Sequence, residues 1–151
     1  MNMHRHRRFF CIVLSACACA ATAVGAQTNG ANPPLALRGV MDKLGHDMQA
    51  VTGAIAQEDW ALVARLAPQI ARHEEPPATE KIRILTWLGA QASKFRGLDQ
   101  QVHDAAMAMG DAAQRGDGPA VIDAFARVQH SCLACHQGYR KAFAEHFYPA
   151  R

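Results

Sequence analysis

Val121, Phe125, Val128, Cys132, Cys135, Tyr139 and Phe143 recur mostly at steps of four and three residues. That spacing lines up one face of an α-helix. Two cysteines therefore lie on an apolar stripe that has to turn towards other helices. Whatever chemistry the thiols perform is placed between helices, not on the surface.

The two cysteines belong to Cys132-Leu133-Ala134-Cys135-His136, a C-x-x-C-H sequence and the attachment signature of a c-type haem. The spacing has a chemical reason. Thiols three residues apart share a helix face and can add to the two vinyl groups on one porphyrin edge. His136, one turn beyond Cys132, then offers an imidazole to the iron. Zinc normally takes four ligands from two such pairs, and no second pair follows residue 26. A thioredoxin-like pair expects a βαβ setting, and no stretch here reads as strand.

The other three cysteines, Cys11, Cys17 and Cys19, fall in a segment of a different kind. Met1 to Arg8 is basic, Phe9 to Val24 is apolar and small, and Val24-Gly25-Ala26 offers a small-residue cleavage site. This is the layout of a signal peptide over residues 1–26. Leu14-Ser15-Ala16-Cys17 is a competing lipobox, which would leave Cys17 as a lipidated first residue. Both routes export the chain, to the periplasm or to a membrane facing it. Export suits the motif, because haem is attached to thiols on the outer side of the bacterial inner membrane. The 16 Lys and Arg and 13 Asp and Glu of the full chain come into balance once Arg5, Arg7 and Arg8 are removed. No charge argument then remains for nucleic acid or for an anionic membrane surface.

Residues 27–34 form a polar, helix-breaking leader. Leu37, Met41, Leu44, Met48, Val51 and Ile55 then repeat at four-three spacing, predicting a helix from about Leu35 to Gln57. Glu58 and Asp59 open a second helix, with Trp60, Val63, Leu66 and Ile70 facing inward and Pro68 kinking it. Glu74-Glu75-Pro76-Pro77 breaks the chain. Thr79 is the expected N-cap of a long third helix running to Arg115 and bent near Gly97. Asp117-Gly118-Pro119 turns the chain into the last helix, about Pro119 to Phe147. The fold expected is all-α, an antiparallel four-helix bundle over residues 35–151 with one covalent haem on the C-terminal helix. The roughly 125 residues left after cleavage suffice for a single core.

From Leu35 to about Lys141 the chain resembles the class II c-type cytochromes, cytochrome c′ and its low-spin relatives of the cytochrome c556 type. The resemblance rests on the C-x-x-C-H sequence near the C-terminus, continued by Tyr139-Arg140, and on Arg38-Gly39-Val40-Met41-Asp42-Lys43. The latter looks like the R-x-x-M-K stretch of the low-spin relatives, with Asp42 inserted before the lysine. The resemblance implies a left-handed bundle, one haem c bound through Cys132 and Cys135, and His136 as proximal ligand. It implies Arg38 near a haem propionate and Arg140 near the proximal haem face. It leaves a homodimer open, and it assigns no role to the residues after Lys141.

Periodicity alone leaves Met41, Met48, Met107 and Met109 as rivals for the sixth iron position. The resemblance selects Met41, with Met48 next. The remaining histidines, among them His73, read as solvated or partly buried helix residues, and Trp60 and Trp87 as core. No nucleophile and base stand together, so no enzyme activity is expected. The function expected is periplasmic electron transfer with redox proteins of the periplasm or inner membrane. The alternatives are a high-spin binder of nitric oxide or other small gases, and a haem-stabilised interaction module anchored through Cys17.

Overall fold

The computed structural model describes residues 35–148. The segments expected to be a signal peptide and a leader, with Cys17, lie outside the described residues. Among those described there is no strand, and the helices form four arms of an all-α bundle.

Arm 1 is α1, Ala36–Ala56, which has no side-chain cap of its own. The first N–H groups of a helix lack intrahelical partners, and here the partners come from far along the chain. The Glu80 carboxylate accepts from the Ala36 N–H at 2.7 Å and the Leu37 N–H at 2.8 Å. The Leu35 N–H donates to the Tyr148 hydroxyl at 3.2 Å. Glu80 is buried, and a carboxylate suits the positive end of a helix.

Arm 2 is α2, Trp60–Ala71. Asp59 caps it by accepting from the Leu62 N–H at 2.9 Å, as the acidic pair predicts. The helix runs through Pro68 and ends at Arg72.

Arm 3 contains α3, Ala78–Leu88, a 3₁₀ turn, Gly89–Gln91, and α4, Ala92–Gln114. Two expectations need correcting. Thr79 is not the cap; Pro77 holds that position in an extended conformation and α3 begins at Ala78. The bend falls at Gly89, not Gly97. Gly89 has φ +51°, a value that side chains resist and glycine accepts, whereas Gly97 lies within the unbroken α4.

Arm 4 contains α5, Gly118–Cys135, a π turn, His136–Arg140, and α6, Lys141–Phe147. Asp117 caps α5 by accepting from the Ala120 N–H at 3.1 Å. The π turn explains how the stripe survives the step from Cys135 to Tyr139 to Phe143. Wider turns hold more residues each, so consecutive steps of four stay on the inner face.

The core comes in two pieces. The larger gathers Val51, Val63, Ile70, Val102, Met109, Val121 and Val128 with their neighbours. The smaller is built on Leu35, Ile84 and Leu88, ringed by Trp87, Phe95, Tyr139, Phe143 and Phe147. Arms 1 and 3 pass from the smaller cluster to the larger, and arm 4 from the larger to the smaller, as alternating directions require. Arms 2 and 3 approach closely at Gly110, where a Cβ would stand 3.1 Å from that of Ala67. No helix among the described residues is long and apolar enough to cross a membrane.

Candidate functional site

Each arm has a residue at the boundary between the two clusters that neither cluster includes. On α1 the stripe runs from Leu37 in the smaller cluster to Leu44 and Met48 against the larger, and Met41 between them joins neither. On arm 3, Phe95 belongs to the smaller cluster and Val102 to the larger, and Leu98 is left out. On arm 4, Cys132 packs on the larger cluster and Tyr139 on the smaller, and Cys135 is left out. On arm 2, Ile70 and Ala71 close the larger cluster, and the next inward position is His73. Met41, His73, Leu98 and Cys135 therefore stand at one level along the bundle, each on its own arm.

His136 follows Cys135 into the π turn and is exposed. The flanks of the helices fix what it faces. Arg127, His130 and Ser131 share a groove with Gln101, Asp104 and Ala108 of α4, so that flank of arm 4 faces arm 3. His136 is on the opposite flank. Ala36, Gly39 and Lys43 line a cavity of about 580 Å³ with His73, Glu74 and Pro77, so that flank of α1 faces the end of arm 2. Met41, 39 % exposed, is on the opposite flank. At 3.6 residues per turn, Met41 and His136 both turn towards the seam between arms 1 and 4.

Burial raises both thiols. Cys135 is pushed up to about 11, with the charges of Asp99 and Cys132 adding to the effect of burial. Cys132 is raised for the same first reason. No cluster of three or more His, Cys, Asp and Glu that could hold a metal ion occurs among the described residues. Thioether formation needs neither a second pair nor a cluster.

Two observations test whether these residues fit a porphyrin. The level left out of the apolar packing holds both Cys135, the second thiol of the C-x-x-C-H sequence, and Met41. At its edge, the Tyr139 hydroxyl is buried without a hydrogen-bond partner among the described residues, an uncommon condition for a native polar group. The residues fit. Cys132 and Cys135 would hold the group, and His136 would offer its imidazole to the iron.

Arg38 and Arg140 are exposed and make no salt bridge among the described residues. Met48 is half-buried against the larger cluster. Sequence reasoning missed the contacts of Glu80, Tyr148 and His73. His73 lies 3.1 Å from Asp99, 26 residues further along the chain, a pairing that no sequence spacing marks.

The fold and this site define a class: an all-α four-helix bundle built around a C-x-x-C-H turn on its last arm. The sequence profile of the family described as cytochrome c′ matches residues 36–140, and the chain belongs to that family of class II c-type cytochromes. Comparison with curated proteins and with solved structures gave no match.

Proposed function

We propose that the protein is an exported electron carrier with a single haem c, bound covalently through Cys132 and Cys135 and ligated by His136 and Met41. The observation that carries the reading is the position of Met41. Alone on the α1 stripe it packs on neither cluster, and its flank of α1 is the one turned towards the flank of arm 4 that bears His136.

Bound haem supplies a one-electron ferric and ferrous couple. The chain's residues set its terms. Cys132 and Cys135 would fix the porphyrin edge to α5. The π turn holds His136 at the seam, where it would ligate the iron, and Met41 of α1 would offer a thioether, a ligand that raises the reduction potential. Because α1 and α5 are both anchored in the larger cluster, the chain around Met41 and Cys132 would shift little when the group changes charge. The apolar clusters on either side would limit the water reaching the group, which tunes the potential further. Partners are redox proteins of the periplasm or inner membrane, and the balanced charge offers nothing to nucleic acid.

Absorption spectra of the haem-loaded protein test this, ferric and ferrous, with and without carbon monoxide, beside Met41→Ala. A low-spin spectrum indifferent to carbon monoxide, turning high-spin in the variant, is expected. A high-spin parent that binds carbon monoxide would overturn Met41 ligation and favour a gas-binding role. A low-spin spectrum unchanged in the variant would move the ligand to Met48.

A further inference from the structure

Among the described residues, one hydrogen bond between side chains joins different arms at the level of the attachment cysteines. His73 Nε2, at the end of arm 2, lies 3.1 Å from Asp99 Oδ1 on α4. His73 Nδ1 lies 3.1 Å from the Glu74 carbonyl oxygen. Both partners are acceptors, so the ring satisfies both only as a double donor, which is the imidazolium. The His73 side chain is 18 % exposed. It stands where the two apolar clusters part, in a stretch of the bundle that otherwise presents Met41, Leu98 and Cys135.

We propose that His73 binds a proton when the haem is reduced and releases it on oxidation, so that this protein moves a proton with its electron. The proposal rests on the electron-transfer reading above. The ferric protein takes one electron from a redox partner and one proton from water. The proton goes to His73 Nε2, facing Asp99, while Nδ1–H keeps its bond to the Glu74 carbonyl. Reduction removes one positive charge from the iron, which makes a nearby cation easier to hold.

The other charged groups around His73 support a proton there. Asp99 faces it from arm 3. Glu74 and Glu75 flank it on its own connection. Lys43 and Asp47 face it across the cavity from α1 and already pair with each other at 2.7 Å. Cys135 of arm 4 feels the same Asp99 charge and is neutral as a thioether. In keeping with this, the Asp99 hydrogen bond raises the His73 pKa above its ordinary 6.5, against the opposing effect of burial.

The test is the midpoint potential of the haem-loaded protein, titrated spectroelectrochemically between about pH 5 and pH 9, with His73→Gln and Asp99→Asn. The His73 ring is followed in parallel by NMR in the haem-free chain. The parent potential should fall with pH between the ferric and ferrous values of His73. The limiting slope is about 59 mV per pH unit, the one-electron equivalent of a tenfold change. His73→Gln should be flat over the same range. Asp99→Asn, which keeps the histidine should the other variant fail to fold, should move the bend and the ring titration to lower pH. A reversible couple with the same pH dependence in parent and His73→Gln overturns the proposal and leaves the electron carrier standing. A haem without a reversible couple, or one that binds carbon monoxide, overturns the carrier and the coupled proton with it.

Discussion

The start of α1 depends on one carboxylate that is 43 and 44 residues distant in sequence from the groups it binds. Glu80→Ala removes two charge-assisted hydrogen bonds of 2.7 and 2.8 Å and leaves two half-buried N–H groups without acceptors. Such bonds are worth about 1.5 to 3 kcal/mol each. Water reaches part of the site, so the low end applies and the loss should be about 3 kcal/mol. For a domain of this size that corresponds to a fall in Tm of about 10 °C. Glu80→Gln keeps a carbonyl acceptor without the charge and should lose about 1 kcal/mol. Glu75→Ala is the control. Its carboxylate meets Lys81 at 2.7 Å, but its side chain is 70 % exposed, and such pairs are worth at most about 1 kcal/mol. Thermal unfolding of the haem-loaded protein, followed by far-UV circular dichroism, reads all three. Glu80→Ala and Glu75→Ala melting at the same temperature would refute the reasoning.

Met109→Ala empties a fully buried side chain of the larger cluster and should cost about 3 kcal/mol in denaturant unfolding. Gly89 and Gly97 should respond oppositely to alanine, although a Cβ would have open space at both. Gly89→Ala, at φ +51°, should lose at least about 1 kcal/mol to backbone strain, and Gly97→Ala should gain up to about 1 kcal/mol from helix propensity. Equal melting shifts would contradict the assignment of the bend. The folded pKa of His73 is raised above 6.5, so the stabilisation from its pairing with Asp99 is full below about pH 6.5. It is lost as pH rises through the folded value. The stability gap between the parent and Asp99→Asn should therefore narrow from pH 6 to pH 9, and a gap that stays constant would show that the pair does not titrate.

Much of the bundle was readable because apolar spacing reports which helix face is inside. The stripes of α1 and α5 needed no tertiary information, and Asp59 and Asp117 marked helix starts by their own local bonds. Gly89 and Gly97 looked alike, since a sequence holds no φ and both interrupt the same stripe. Thr79 looked like a cap because it could accept a hydrogen bond. The groups that needed an acceptor belonged instead to α1, and Glu80 served them. The motif at Cys132, Cys135 and His136 was legible as chemistry. That the same level of the bundle also holds the pair of His73 and Asp99 was not, because a contact between two arms leaves no mark on the spacing of either.

The divided core has a consequence for the chain before its cofactor is attached. The smaller cluster leans on aromatic rings carried by the last two turns of arm 4, including Phe143 and Phe147, which lie against Trp87 at 5.6 and 5.5 Å. Little apolar contact ties that end to the rest. In the haem-free chain the two ends should behave as separate cooperative units with unequal opening free energies. Amide exchange around Ile84, Phe95 and Tyr139 should then be faster than around Met109 and Val121. Haem binding, by bridging the units, should bring the two rates together, so that the cofactor makes one folding unit out of two.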